Sequence, residues 1–267
     1  MSGNSGNTGP TGLQHVSRSG QLSRQPSRLG IINRGRRDAA TTTSNAAYTE
    51  AIAHYRAGQI EQAATAFRTA AEQGHAESQY VLSTLYDTGE GVPQSDTEAA
   101  HWEQKAAEQG HAYAQANLSF RYYAADDFLQ AFQWCRRAAE SNLPWAQYNL
   151  GLMHRKGEGT PQDDAQAALW YRLAADQDYA EAQQKLAELY HWGRGVPRSA
   201  TTAAAWYRRA AAQGNAEAQY QLAQLYSIGD GVEADYVQSR HWIREAAQQG
   251  HPAATAELNA RSYRDPD

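Results

Sequence analysis

Cysteine, long apolar runs and an apolar leader are missing or nearly missing from the sequence. Cys135 is the single cysteine in 267 residues, so no disulfide can form within the chain. No run of about 18 apolar residues occurs, which predicts that no helix crosses a membrane. The N-terminus lacks the apolar core of about 7–15 residues found in secretory leaders. We therefore expect a cytoplasmic protein, with secretion that does not use a classical signal peptide as the alternative.

The sequence also lacks the motifs that carry catalysis or hold a metal ion. Its histidines and carboxylates do not converge at the spacing that metal ligands need on a helix. Cys135 lies between Trp134 and Arg136, and the sequence pairs it with no histidine, which is typical of a buried thiol. We therefore predict no enzymatic activity, no cofactor and no metal site.

Charge is divided unevenly between two parts of the chain. Residues 1–45 carry six arginines and one acid, Asp38, among many Ser, Gly, Asn and Thr residues. Such a segment buries too little apolar surface to offset chain entropy, so we predict a disordered tail. Residues 46–267 carry 18 basic and 28 acidic residues, a net charge of −10. This acidic part argues against specific nucleic-acid binding, because phosphate contacts need Lys and Arg.

Three interpretations of the basic tail remain open. The first is a solvated linker. The second is an export signal of the kind that bacterial type III machines read, because no acid precedes Asp38. The third is a basic arm in which Arg34, Arg36 and Arg37 contact phosphates or an acidic surface.

The rest of the chain is organised by a repeat of about 36 residues. The stretch 215–250 nearly overlays 179–214, and the match continues toward the N-terminus. The pattern of each full unit predicts a first helix and a second helix, which are separated by a Gly-x-Gly turn. The second helix carries a Trp and an Ala-Ala pair. Glycine ends a helix easily because it adopts the left-handed conformation without a side-chain penalty. The units cover residues 46–74, 75–110, 111–142, 143–178, 179–214 and 215–250, and a cap follows at 251–267.

Repeat phase separates scaffold residues from candidate site residues. Five tryptophans share one position of the repeat, which predicts core packing: Trp102, Trp134, Trp170, Trp206 and Trp242. His75, His111 and His251 share another position, just after the closing glycine, which predicts cap or turn residues. Trp192 lies outside these phases, and we interpret it either as an exposed turn aromatic or as a staple.

The pattern resembles the Sel-1-like repeat, a branch of the tetratricopeptide superfamily. The resemblance rests on the AEAQ-type start (residues 180–183 and 216–219), the Leu-Tyr pair (for example Leu189 and Tyr190), the Gly-x-Gly turn and the Trp-to-Ala-Ala ending. It implies an all-α fold, a right-handed superhelical solenoid of antiparallel helix pairs, which works by holding other proteins. The penicillin binding reported for a disulfide-stapled branch is not carried over, since Cys135 is alone. The third unit lacks four residues and has Ala124–Asp127 in place of Gly-x-Gly.

First-helix positions that the repeat does not dictate form the predicted partner site. In the third and fourth units these positions hold aromatic and apolar residues with asparagines between them, and glutamates flank them. The predicted residues are Tyr113, Asn117, Phe120, Trp145, Asn149, Leu152, Glu181 and Glu188. Exposed aromatics anchor partners, and asparagines bond extended peptide backbones. The alternative is that the aromatics only fill an irregular junction beside the short third unit.

These observations predict a non-enzymatic scaffold or adaptor that binds a peptide or protein in the concave groove of the solenoid. The acidic rim favours a basic partner. The alternative is a bacterial effector that is exported through its unfolded N-terminus and grips a target protein with its repeats.

Overall fold

The computed structural model describes residues 42–262, with side chains from residue 44 to residue 260. Within this range the chain forms thirteen α-helices and no strand, in two compact units that divide between Ser141 and Asn142. The first unit contains α1 Thr42–Arg56, α2 Ile60–Glu72, α3 Ala76–Thr88, α4 Asp96–Glu108, α5 Ala112–Ala124 and α6 Phe128–Glu140. The second contains α7 Pro144–Lys156, α8 Asp164–Ala175, α9 Ala180–Trp192, α10 Ala200–Ala212, α11 Ala216–Ile228, α12 Tyr236–Gln248 and α13 Pro252–Ser262.

The helices begin and end where the sequence places capping residues. From α4 onward, second helices start after a Ser or Asp whose side-chain oxygen accepts a backbone N–H, as Ser199 does for α10 and Asp235 for α12. First helices of full units end at a glycine in the left-handed conformation, for example Gly193 with φ +67° and Gly229 with φ +72°. Local sequence therefore determines the helix limits in both units.

In three turns the second glycine, Gly91, Gly195 or Gly231, lets the turn pack closely against an earlier helix. A Cβ on Gly231 would lie 2.2 Å from the carbonyl carbon of Ala200, at the start of α10. A Cβ on Gly195 would lie equally close to Asp164, at the start of α8. Non-bonded atoms cannot approach to these distances, so only glycine fits at these two positions of the second unit.

The shortened third repeat loses its four residues from the turn and keeps its helices at full length. The turn between α3 and α4 spans residues 89–95, whereas that between α5 and α6 spans residues 125–127. Asp126, with φ +59°, takes the left-handed conformation there. Asp127 then caps α6 by accepting the N–H of Gln130. The sequence predicted a local change here, and the change is confined to this turn.

The cores of both units combine small alanines with large aromatic rings. In the first unit Trp102 packs with Leu82, Tyr86 and Ala99. In the second unit Tyr171, Tyr207 and Leu222 are fully buried. Trp102, Trp134 and Trp206 are buried as predicted, whereas Trp170 and Trp242 are only partly buried.

Consecutive helices within each unit pack against one another, and the predicted all-α repeat of helix pairs is confirmed. The handedness of the superhelix stays a prediction, as do the domain limits at residues 45 and 46. The predicted disordered tail lies outside the described residues, except for residues 42–45, which belong to α1.

Candidate functional site

Buried glutamines join successive helices and belong to the scaffold. Gln183 Nε2 donates to the carbonyl oxygen of Ala175, at the end of α8, over 3.1 Å. Its Oε1 accepts a bond of 2.8 Å from Gln213 Nε2, just after α10. The last carbonyls of a helix have no partner within that helix; that of Ala175 accepts the N–H of Asp178, and the glutamine adds a second bond. The same bond to a helix-end carbonyl is made by Gln79, Gln115 and Gln219.

Three histidines cap first helices, as the sequence predicted. Nδ1 of His111 accepts the N–H of Ala114, and Nδ1 of His251 accepts that of Ala254, each over 3.2 Å. Nε2 of His111 lies 3.2 Å from Glu77 Oε2, in the preceding repeat. His75 caps α3 in the same way, and burial lowers its pKa, which favours the neutral ring. These rings serve packing and capping, and the part of the chain that the structure describes contains no cluster of His, Cys, Asp or Glu suited to a metal ion.

Cys135 is fully enclosed on α6. Its thiol is 3% exposed, and burial raises its pKa to about 12. A thiol with such a pKa holds its proton at neutral pH and is a poor nucleophile. The structure therefore assigns Cys135 to packing, as its sequence position suggested.

The predicted site residues of the first unit lie on one face of α5. Tyr113 and Phe120 are half-buried, and the Tyr113 ring lies 6.2 Å from that of Tyr80. Asn117 Nδ2 donates to Glu103 Oε1 over 3.0 Å, so this amide is already bonded within the unit. The two aromatic side chains thus remain partly accessible, while Asn117 belongs to a polar cluster between α4 and α5.

That cluster contains two residues at repeat positions that are apolar elsewhere. Glu103, 4% exposed, follows Trp102 where other units have Cys135, Tyr171, Tyr207 and Ile243. Arg121 occupies the position of the Leu in the Leu-Tyr pair, and its Nε lies 2.6 Å from Glu103 Oε2. Burial is the main influence on Glu103 and raises its pKa, although Arg121 and Asn117 oppose that rise. The sequence contained both departures, but only packing showed that they pair.

The predicted residues of the second unit differ in burial. Trp145 is half-buried on α7, whereas Asn149 and Leu152 are each only 7% exposed. Glu181 and Glu188 lie half-buried on α9. Their predicted binding role stays a prediction, and the burial of Asn149 and Leu152 leaves Trp145 and the two glutamates as the more accessible members.

Charge pairing on α9 involves the predicted acidic rim. Glu188 Oε2 lies 3.0 Å from Lys185 Nζ and 3.8 Å from Arg155 Nη1. Glu217, in the next repeat, pairs with His251 Nε2 at 3.1 Å. Glu188 of the predicted rim and Glu217 therefore already face groups that can carry positive charge.

Asn149 Oδ1 on α7 and the hydroxyl of Tyr171 on α8 are enclosed and have no hydrogen-bond partner among the described residues. Arg155 Nη1 makes no hydrogen bond either, but it faces Glu188 Oε2 at 3.8 Å. The Tyr171 ring fills the space beside Gly151, where an added Cβ would come within 2.6 Å of it. Buried polar groups are usually bonded, and enclosed atoms of this kind are commonly bonded by a buried water molecule.

Large apolar side chains outside the predicted site are also exposed. Trp192 is 62% exposed at the end of α9, so it is an exposed turn aromatic and not a staple. Ile228, at the end of α11, is 71% exposed. The second helices expose Leu129, Leu169, Leu173, Tyr236 and Val237. Apart from Trp192, sequence reasoning did not single these residues out, although a comparison of repeat phases on all helix faces would have done so.

No helix among the described residues is both long and apolar enough to cross a membrane.

Comparison with known proteins supplies a family for this architecture. A family model described as Sel1 repeat matches five segments, residues 76–111, 112–143, 146–179, 180–215 and 216–251. These limits fall within a few residues of the first-helix starts in the structure.

Solved structures and a curated relative agree with this match. A protective antigen of uropathogenic Escherichia coli strains, which displays an SLR fold, is 36% identical with a TM-score of 0.72, over 78% of this chain and 47% of the antigen. A Sel1 repeat protein from Oxalobacter formigenes is 34% identical with a TM-score of 0.68, over 78% of this chain and 84% of its own. A negative regulator of exopolysaccharide production from Rhizobium leguminosarum bv. viciae is 31% identical over 39% of this chain and 46% of the regulator. The chain thus spans less than half the length of the regulator and of the antigen.

Proposed function

Because the chain belongs to the Sel1 repeat family, a group that generally acts as protein-interaction scaffolds, we propose that it is a non-enzymatic scaffold that binds a peptide or protein through its first helices. The similarity to a negative regulator is consistent with a scaffold that controls another protein. The partner itself is part of the proposal.

The observation that carries the proposal is a pair of half-buried aromatic side chains on the first helices. Tyr113 on α5 and Trp145 on α7 occupy the repeat position that holds Glu77, Glu181 and Glu217 in other units. Packing does not require an aromatic there, since glutamate serves in the other three units. Half-buried Tyr and Trp side chains are the commonest anchors of protein interfaces. A basic partner remains part of the proposal, with Glu181 and the paired Glu188 as its acidic contacts.

Partner recovery by variants tests the proposal. The full chain serves as bait in cells that express it, and each recovered protein is then purified and titrated against the chain by calorimetry. Phe120→Ala with Trp145→Ala should keep the helical circular dichroism signal and weaken partner binding about tenfold or more, because anchor residues carry much of the binding energy. Leu129→Ala with Leu169→Ala is the matched control, since it removes one exposed apolar residue from a second helix in each unit. Unchanged affinity of the Phe120 and Trp145 variant would reject the assignment to the first helices.

The alternative of an exported effector depends on residues 1–45. Residues 1–41 lie outside the described part of the chain, so that alternative stays a prediction.

A further inference from the structure

Two large apolar side chains are exposed at the same position of consecutive repeats in the second unit. Trp192 ends α9 and is 62% exposed, and Ile228 ends α11 and is 71% exposed. The other units carry Thr88, Ala124 and Lys156 at this position. Apolar packing is therefore not required there, and the ring contact of Trp192 within the unit is with its neighbour His191.

Polar contacts join the two residues into one continuous surface. Asp230 Oδ2, two residues after Ile228, lies 3.8 Å from His191 Nδ1. Arg198 reaches the same carboxylate at 3.5 Å and donates from Nε to the carbonyl oxygen of His191 over 3.1 Å. The turn that follows α9 is thereby held against the turn that follows α11. We call the surface formed by Trp192, Arg194, Arg198 and Ile228 the Trp192 ridge.

The ridge has a local excess of positive charge on a chain whose residues 46–267 carry a net charge of −10. Arg194 and Arg198 are both exposed. Two nearby acids are already paired: Asp230 faces Arg198 and His191, and Glu188, one helical turn before Trp192, faces Lys185 and Arg155. Arg198 shares its charge with Asp230, whereas Arg194 has no ion pair among the described residues, so guanidinium groups remain beside the two apolar side chains for paired hydrogen bonds with carboxylates.

We propose that the Trp192 ridge binds an acidic segment of a protein partner, with a bulky apolar side chain of that segment against Trp192 and Ile228 and its carboxylates on Arg194 and Arg198. Large exposed aromatic and aliphatic residues supply the contact area, and complementary charge selects the partner. This inference rests on the proposed scaffold function but concerns the C-terminal ends of α9 and α11 and the turns that follow them, one helical turn beyond Glu188, where the charge preference is the opposite.

Binding of two peptide libraries of opposite charge to the full chain tests the proposal for the ridge. One library contains short fluorescent peptides in which two apolar residues, at varied spacing, lie among Asp and Glu. The second replaces each acid with Lys. The acidic library should contain binders that the lysine library lacks, and their affinity should fall about tenfold or more in Trp192→Ala with Ile228→Ala. Arg194→Glu with Arg198→Glu should abolish binding of the acidic peptides. Val237→Ala, a change at another exposed apolar residue of the same unit, should leave binding unchanged.

Three results would overturn the inference. They are the absence of any acidic binder, equal or stronger binding by the lysine library, and acidic binding that survives the Trp192 and Ile228 changes. Its failure is distinguishable from failure of the scaffold function, because a partner lost by the Phe120 and Trp145 variant but kept by the ridge variant would leave the scaffold intact. Conversely, acidic peptides that bind the ridge while no partner depends on Phe120 and Trp145 would reject only the first-helix assignment.

Discussion

The glycine that follows a second helix and the second glycine of a Gly-x-Gly turn have different surroundings, although both adopt positive φ. Gly214 has φ +87°, and the nearest atom to an added Cβ would be Gln249 Oε1 at 3.9 Å. Other units place Asn142 and Asp178 at this position, with φ +61° in both. Gly231 instead presses against the backbone of Ala200. The first position needs only left-handed backbone, whereas the second also needs the missing side chain.

This difference predicts unequal effects of the same substitution. Gly214→Ala should lower the free energy of unfolding by about 1 kcal/mol, the cost of left-handed backbone for alanine. Gly231→Ala should lower it by about 2–4 kcal/mol, because overpacking adds to the backbone cost. Urea denaturation followed by circular dichroism measures both. Equal losses in the two variants would contradict the close approach of the Gly231 turn to α10.

At the scale of the helices, the buried glutamines form hydrogen bonds that connect one helix to another. Gln183 is fully buried and bonds both the end of α8 and the residue after α10. Its side chain therefore satisfies a helix-end carbonyl and holds neighbouring second helices in register. An apolar residue of similar size would fill the space but lose both bonds, and the Ala175 carbonyl oxygen would keep only the N–H of Asp178.

Loss of these hydrogen bonds should lower the free energy of unfolding measurably. Gln183→Met should lower the free energy of unfolding by about 1–3 kcal/mol, because the bonds to Ala175 and Gln213 are lost and each is worth about 0.5–1.5 kcal/mol. Gln248→Met changes an exposed glutamine on α12 and should have little effect. Thermal and urea denaturation of both variants give the comparison. A Gln183→Met chain as stable as the parent would show that the glutamine bonds are dispensable.

For the molecule as a whole, one buried carboxylate makes stability depend on pH. Burial raises the pKa of Glu103 above its ordinary value, so the folded chain holds this proton more tightly than the unfolded chain does. The resulting stabilisation is complete below the ordinary glutamate pKa of about 4.3 and is lost as pH rises through the raised value. The partial compensation by Arg121 reduces this dependence without reversing it.

Replacing the carboxyl group should remove this dependence. As pH rises from about 4, the parent should lose unfolding free energy relative to Glu103→Gln, because only the parent must ionise a buried acid. Denaturation at a series of pH values measures it. Glu72→Gln, at an exposed glutamate of the same unit, is the matched control. A difference that stays constant, or moves in favour of the parent, would contradict the raised pKa.

The sequence by itself determined the repeat, the helix limits and the scaffold role of most tryptophans and capping histidines. Caps, left-handed glycines and helix periodicity are local, so neighbouring residues in the chain suffice to predict them. It also predicted a partner site on the first helices, where Tyr113, Phe120 and Trp145 are half-buried. That binding role stays a prediction for the experiments above.

Only the tertiary structure decided which side chains those helices leave exposed. Burial is a sum over several neighbouring helices, so the sequence did not show that Asn149 is enclosed without a partner for Oδ1. The pairing of Glu103 with Arg121 likewise depends on contact between helices that are separated in sequence. Trp192 and Ile228 became one surface only when contacts between consecutive turns joined them. Repeat phase names the positions that depart from the pattern, and packing determines whether each departure is buried, paired or available to a partner.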